Sequence, residues 1–345
     1  MTNPISRHLT LFTKIRRMIN MKAWTITGPA PHTLADLTLT DVAEPTPGDT
    51  EVKVYVRAVG LNPADYKVIE GSNTTEPRVV GMDCAGEIVA VGADVANWSV
   101  GDRVMYHGDL RRAGSLAEFT VTTALSLAPI PSNVSFEQAA ASLCGTLTAY
   151  QALYRKANLS EVPTVLIHAG GGAVGLAALQ FARDLHLRTI TTTSARKRPL
   201  VERVGADTII DYHQEDVTTA VLAATDGLGV GLSLNTIGGE ELAADVDRMA
   251  YNGQIIAIGD GMPAHMDLDS KALGLTRSAL GGVYRSKNPT EIADLGFMAG
   301  VVGQKLATGE FDPVIDRILP FDDAAEGLRV LQRGENLGKI VVKVD

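Results

Sequence analysis

Thr164-Val-Leu-Ile-His-Ala-Gly170-Gly-Gly-Ala-Val-Gly175 decides the fold. A short apolar run ends at His168, glycines follow, and Ala173 to Leu185 then carries helical spacing. Gly170, Gly172 and Gly175 form G-x-G-x-x-G between a strand and a helix, the context in which that spacing signals dinucleotide binding. Gly170 is expected to permit the tight turn, Gly172 to let backbone approach a pyrophosphate, and Gly175 to let the helix lie close to the sheet. The amides that open the helix, at Ala173, Val174 and Gly175, would hold the anion.

Downstream, strand and helix alternate. Arg188–Thr193 is β-branched, 198–204 is helical, and Thr208–Asp211, Leu232–Asn235 and Gln254–Ile258 read as strands. Alternation of this kind predicts a doubly wound parallel sheet with helices on both faces. Upstream the text is β: Glu51-Val-Lys-Val-Tyr-Val-Arg57 alternates, and turn signals recur at Pro45–Gly48, Asn62-Pro63 and Gly101-Asp102. Two tight strands are expected between Gly81 and Gly101. Phe136 to Tyr154 is Ala-rich and helical. The end, with Gly338-Lys-Ile-Val-Val-Lys-Val344, returns to the β style.

An NAD site places an acid about 20 residues beyond the glycine turn, on the ribose 2′-hydroxyl. Here that stretch is Thr191-Thr-Thr-Ser194-Ala195, followed by Arg196, Lys197 and Arg198. A hydroxyl and cations without a carboxylate suit a 2′-phosphate, so NADPH is expected, held by Ser194, Arg196 and Lys197.

The chain has 345 residues, 45% hydrophobic and 21% charged, with net charge −9 and two cysteines. This length fits two domains. No apolar run approaches the ~20 residues that span a bilayer, so no membrane partner is expected. The acidic balance argues against a nucleic-acid partner. Cys84 and Cys144 make neither a disulfide framework nor a four-thiolate zinc site, which points to the cytoplasm. Residues 1–20 carry Arg7, Lys14, Arg16 and Arg17 and no acid. They read as an N-terminal extension, either a presequence or an upstream start before Met21-Lys-Ala-Trp24.

From Met21 to Asp345 the layout resembles the medium-chain dehydrogenase/reductase superfamily. The resemblance rests on Gly60-Leu-Asn-Pro-Ala-Asp-Tyr-Lys67, Gly81 to Gly92, Gly101-Asp-Arg-Val104, Gly114-Ser-Leu-Ala-Glu-Phe119, Gly145-Thr-Leu-Thr-Ala-Tyr150, the glycine turn and Gly338-Lys-Ile-Val341. It implies a GroES-like, β-rich catalytic domain from 21–145 and 286–345, a Rossmann domain over 146–285, and a nicotinamide in the cleft between them. It also implies Thr148 near the nicotinamide, Tyr212 near the 2′-phosphate, and Asn235 and Gly259 along the cofactor. Zinc relatives carry Cys where this chain has Asn62 and His where it has Met82, with Cys144 near a third ligand position. Catalytic zinc is therefore not expected. The Asn62-Pro-x-Asp65 pattern resembles the zinc-free quinone oxidoreductases, the zeta-crystallin-like branch, although Ala173 stands where their turn has a second glycine.

That resemblance implies hydride transfer to a small electrophilic acceptor, a quinone or α,β-unsaturated carbonyl. Asn62 and Lys67 would stabilise the developing oxyanion, Tyr66 would donate a proton, and Asp65 would orient them. His107, Arg111 and Arg112 are placed in a loop that meets the substrate or solvent. Two alternatives stand: a carbonyl or enoyl reductase for a bulkier ketone or thioester, and a non-catalytic NADPH-binding protein, crystallin-like or RNA-binding. A homodimer is expected through the edge strand of the parallel sheet, placed at Ser278–Tyr284.

Overall fold

A computed structural model describes residues 20–160 and 162–344. The N-terminal extension, apart from Asn20, lies outside the described residues.

Strand β1 (Asn20–Ile26) pairs with β2 (Leu37–Ala43) and β4 (Arg78–Val79) in a three-stranded antiparallel sheet. Between them lie β3 (Glu51–Gly60) and helix α1 (Pro63–Glu70). The alternation read at Glu51–Arg57 is realised in β3, where Val52, Val54 and Val56 are fully buried. Strands β5 (Asp83–Val91), β6 (Arg103–His107), β7 (Phe119–Thr123) and β8 (Ala128–Pro129) follow. Only one strand forms between Gly81 and Gly101, not two. After β5 the chain turns at Gly92, where a Cβ would lie 2.1 Å from the Gly48 carbonyl oxygen. Asp94 and Ser99 then direct their amides to the Asp49 carbonyl and the Asp102 carboxylate.

Helix α2 (Phe136–Ala141) starts at a Ser135–Gln138 capping box, and α3 (Cys144–Tyr150) runs into a π-helical turn at Gln151–Lys156. Strands and helices then alternate: β9 (Thr164–Ile167), α4 (Ala173–Asp184), β10 (Arg188–Thr193), α5 (Arg198–Arg203), β11 (Thr208–Asp211), α6 (Val217–Ala224), β12 (Val230–Asn235), α7 (Gly239–Arg248), β13 (Met249–Ala257) and β14 (Gly274–Arg277). These six strands form one all-parallel sheet in the order β11-β10-β9-β12-β13-β14. The strand order reverses beside β9, so the glycine turn sits at the topological switch point, where open sheets of this kind bind ligands.

The edge strand is Gly274–Arg277, not Ser278–Tyr284. Ser278 gives its amide to Ala257 and its hydroxyl to Gln151, and the chain then coils through a 3₁₀ turn into α8 (Val283–Ser286). The Tyr284 hydroxyl donates to the His107 carbonyl at 2.5 Å, which draws this stretch off the sheet edge.

Helix α9 (Pro289–Thr308), strand β15 (Ile315–Pro320), helix α10 (Ala324–Gln332) and strand β16 (Lys339–Lys343) complete the chain. β15 and β16 join the sheet begun far upstream, in the order β15-β16-β3-β5-β6-β8 with β7 also on β3. The Leu61 amide donates to the Ile340 carbonyl, which fixes Lys339 against the start of α1. The parallel sheet thus lies in sequence between two segments that share one β-rich unit.

Candidate active site

The glycine turn owes its shape to close packing. Its left-handed residue is Ala169, at φ 51°, while none of its glycines has positive φ. A Cβ on Gly170 would lie 2.0 Å from the Thr191 hydroxyl, and one on Gly175 would lie 2.5 Å from both Gly170 Cα and the Ala169 carbonyl oxygen. Gly170 is therefore needed for its approach to β10 rather than for the torsion of the turn. Gly172 is the N-cap of α4 and supplies no side chain, so the first amides of α4, at Ala173, Val174 and Gly175, remain open to an anion. Gly145 packs directly on Ala173, which seats α3 beside this opening.

Beyond β10, Ser194 stands at the start of a 3₁₀ turn at Ala195–Lys197, makes no side-chain capping bond, and is half-buried. Lys197 packs on Gly171 and lines the cleft below. Burial, and then the Arg196 charge, push its pKa down. The Arg196 guanidinium reaches across to the loop after α10, donating to the Gly334 carbonyl at 2.7 Å and the Asn336 carbonyl at 3.2 Å. Thr193 pairs with Asp211, so Tyr212 lies one residue past the rung that leads to Ser194; it is half exposed, with its ring tilted against that of His213.

Three expected cofactor contacts sit differently. The Asn235 side chain is fully buried; it accepts from the Ile237 and Gly238 amides and donates to Asp245 and the Glu241 carbonyl. It shapes the turn after β12 and anchors a buried cluster of His168, Ser233, Asp245 and Arg248. The Thr148 hydroxyl bonds back to the Cys144 carbonyl inside α3. Gly259 is packed on Thr236 and Ile237 backbone, its carbonyl capped by Arg277.

Opposite the turn, α1 begins with Asn62, only 2% exposed. Its amide nitrogen donates to the Gly60 carbonyl at 2.9 Å and to Asp83 Oδ2 at 2.8 Å, while Lys339 Nζ donates to its oxygen at 2.7 Å. Lys339 also donates to the Leu61 carbonyl at 2.9 Å, and Asp83 gathers His107 Nδ1 at 2.8 Å and the Cys144 amide at 3.0 Å. Asp65 accepts the Asn62 backbone amide in a capping box. Burial, and then the nearby Asp83 charge, raise the Asp65 pKa to about 7. Tyr66 packs against the apolar core of the β-rich unit. Lys67 is exposed and salt-bridged to Asp260 at 2.8 Å, joining α1 to the loop after β13. His107 is a buried partner of Asp83, not a loop residue, and Arg111 is paired with Asp109.

Asn62, Cys144, Gly172–Gly175, Lys197, Thr236, Gly334, Asn336 and Lys339 line one cleft of about 290 Å³. Sequence reading missed Lys339 and Asp83. The signal that points to Lys339 was present in Gly338-Lys-Ile-Val341, used there only as a family mark.

Fold and comparisons together define an oxidoreductase of the nicotinamide-dependent kind. Residues 48–132 match the family model described as the alcohol dehydrogenase GroES-like domain, and residues 204–342 match zinc-binding dehydrogenase. The quinone oxidoreductase-like protein 2 homolog of Nematostella vectensis is 30% identical over 303 residues, covering 86% of this chain and 82% of that protein. The quinone oxidoreductase of Pseudomonas syringae pv. Tomato DC3000 superposes with a TM-score of 0.83 at 28% identity, over 94% of this chain and 99% of that one. The CurK enoyl reductase gives a TM-score of 0.80 at 25% identity, over 94% and 99%. The chain belongs to the medium-chain dehydrogenase/reductase superfamily, in its quinone oxidoreductase-like branch, with a Rossmann sheet inserted into a GroES-like domain.

The zinc implied by one family description does not fit the residues present. Both hydrogens of the Asn62 amide are donated, and a lysine ammonium sits 2.7 Å from its oxygen. Burial pushes the Cys144 thiol pKa well up. Among the described residues no group of three or more His, Cys, Asp or Glu side chains is placed to hold a metal. No helix among them is long and apolar enough to cross a membrane.

Proposed function

We propose that this protein is an NADPH-dependent, metal-independent reductase of quinones or α,β-unsaturated carbonyls. The observation that carries this reading is the single cleft that joins an uncapped helix start to a buried lysine–amide network. A bound dihydronicotinamide would supply the hydride. The open amides of Ala173, Val174 and Gly175 would hold the pyrophosphate, and Ser194 and Lys197 the 2′-phosphate, with Arg196 turning from the Gly334 and Asn336 carbonyls to join them. No carboxylate stands among residues 194–198, directly after Thr193, to repel that phosphate. The Asn62–Asp83–Lys339 network would orient the acceptor and carry charge next to it, while the apolar cleft walls exclude water.

The enoyl-reductase reading has one support, the likeness to the CurK enoyl reductase. Oxidation of NADPH and of NADH is followed over a panel of quinones, enones and thioester enoyl acceptors, with and without a chelator. Quinone or enone turnover with NADPH that survives chelation is the expected result. Turnover confined to thioesters would favour the enoyl reading. Equal affinity for NADPH and NADH would remove the assignment of Ser194, Arg196 and Lys197.

A further inference from the structure

We infer that Lys339 is the cation that receives the negative charge developing on the acceptor, an inference that rests on the reductase reading above. The donor inventory leads to it. An Asn amide has two N–H donors, and both of those on Asn62 are given away, to Gly60 and Asp83. Asn62 therefore has no side-chain hydrogen left for a substrate oxygen. Lys67 is salt-bridged to Asp260 with 56% of its side chain exposed. Tyr66, expected as the proton donor, is half-buried with its ring against the apolar core of its own unit. The two expected oxyanion donors on α1, Asn62 and Lys67, are thus committed elsewhere.

Lys339 meets the requirement they do not. It lines the same cleft as the opening of α4 and is only 5% exposed. An ammonium has three hydrogens. Two are donated, to Leu61 and Asn62, and the nearest carboxylate oxygen, on Asp83, stands off at 4.0 Å. Asp83 is itself shared among His107, Asn62 and the Cys144 amide, which spreads its charge over other donors. In a buried setting the remaining positive charge acts with little screening. The lysine is aimed by the backbone: Gly338, at φ 125°, passes so close to the Val314 carbonyl that a Cβ would lie 2.2 Å from its oxygen, and β16 then pairs with β3. Asn62 becomes a positioning residue, holding the ammonium through its oxygen.

In the step itself the acceptor takes hydride with its electron pair from the reduced nicotinamide, which is oxidised. A C–H bond breaks on the donor and forms on the acceptor, whose π electrons move onto its oxygen. That oxyanion is stabilised by Lys339 and then takes a proton from solvent, so the lysine keeps its own.

The test uses Lys339→Met and Lys339→Arg. Single-turnover hydride transfer from NADPH to a quinone is expected to fall roughly 10²–10³-fold in Lys339→Met and to recover in part in Lys339→Arg, with NADPH affinity unchanged. The second readout needs no turnover. 4-Nitrophenol is titrated spectroscopically on the NADP⁺-loaded protein, where wild type is expected to lower its pKa by about one unit or more, a stabilisation of ~1.4 kcal/mol, and Lys339→Met to abolish the shift. A purely structural lysine would lower stability or NADPH affinity and leave that ionisation untouched. Hydride transfer within about threefold of wild type, or identical nitrophenol titrations, overturns the inference. If Lys339→Met does not fold, the charge-balanced pair Lys339→Gln with Asp83→Asn carries the same two measurements. If wild type reduces no acceptor on the panel, the reductase reading fails, while the nitrophenol titration still decides the role of Lys339.

Discussion

Replacing Gly170 by alanine tests whether close packing or backbone torsion makes that glycine necessary. The added methyl would sit 2.0 Å from Thr191 Oγ1, which is anchored by its own 2.7 Å bond to the buried Ile167 carbonyl. Relief requires β10 and the turn to part, or the hydroxyl to leave its acceptor. Overpacking of this kind costs about 1–3 kcal/mol, and here the upper half of that range is expected because both contacting elements are backbone-anchored. Thr191→Ala alone loses one buried hydrogen bond, about 1 kcal/mol. Combined with Gly170→Ala it removes the clashing oxygen and leaves a Cβ contact near 3.1 Å, tight but eased by a small shift. The double variant is therefore expected to be about as stable as Thr191→Ala, a favourable coupling of roughly 2–3 kcal/mol. Urea unfolding measures the cycle, and NADPH fluorescence titration shows whether cofactor binding follows it. Strict additivity, with the double variant the worst of the three, would refute the packing argument and return the glycine to a torsional or anion-approach role.

Lys67→Ala is expected to leave single-turnover hydride transfer within about threefold of wild type, because its salt bridge to Asp260 is exposed on both sides and such pairs contribute about 0–1 kcal/mol; a loss of two orders of magnitude would restore it as a catalytic residue. Asp65, with a folded pKa raised to about 7 from 3.8, binds more protons folded than unfolded between those values. Wild-type stability should therefore fall as pH rises from about 4 to about 7 and level off above, by at most on the order of 4 kcal/mol. Asp65→Asn should remove this slope, and parallel urea titrations at pH 5 and pH 8 that show equal slopes in both proteins would count against it. Dimerisation is expected through the Gly274–Arg277 edge, which pairs only with β13 among the described strands; a monomer mass by light scattering at micromolar concentration would reject it.

What was legible in the sequence was local. The strand–glycine–helix junction, the alternation of β3 and the βα alternation from Thr164 to Arg277 depend on neighbours a few residues apart, and the structure realises them. What was not legible depends on competition between distant partners. Arg196 has the charge for a phosphate, yet in this structure the loop at Gly334–Asn336 takes its guanidinium. Asn235 stands at the C-terminal end of a central strand, where a cofactor contact is plausible by position, but Asp245 and the Ile237 and Gly238 amides absorb its side chain. Ser278–Tyr284 has strand-like residues, but the register with β13 is taken four residues earlier.

Asn62 shows how such competition decides chemistry. Its place in Asn62-Pro-x-Asp65 suggests a donor to substrate, a reading that counts the side chain's hydrogens as free. The fold brings Asp83 and Lys339 to it from positions 21 and 277 residues away, and the amide then faces an anion with its nitrogen and a cation with its oxygen. That polarity excludes two roles together. A metal ion cannot share the amide oxygen with an ammonium 2.7 Å away, and a substrate oxygen finds no amide hydrogen. Lys339 keeps one ammonium hydrogen beyond those given to Leu61 and Asn62, so the same three side chains that leave no place for a metal also supply positive charge of the kind a metal would have brought.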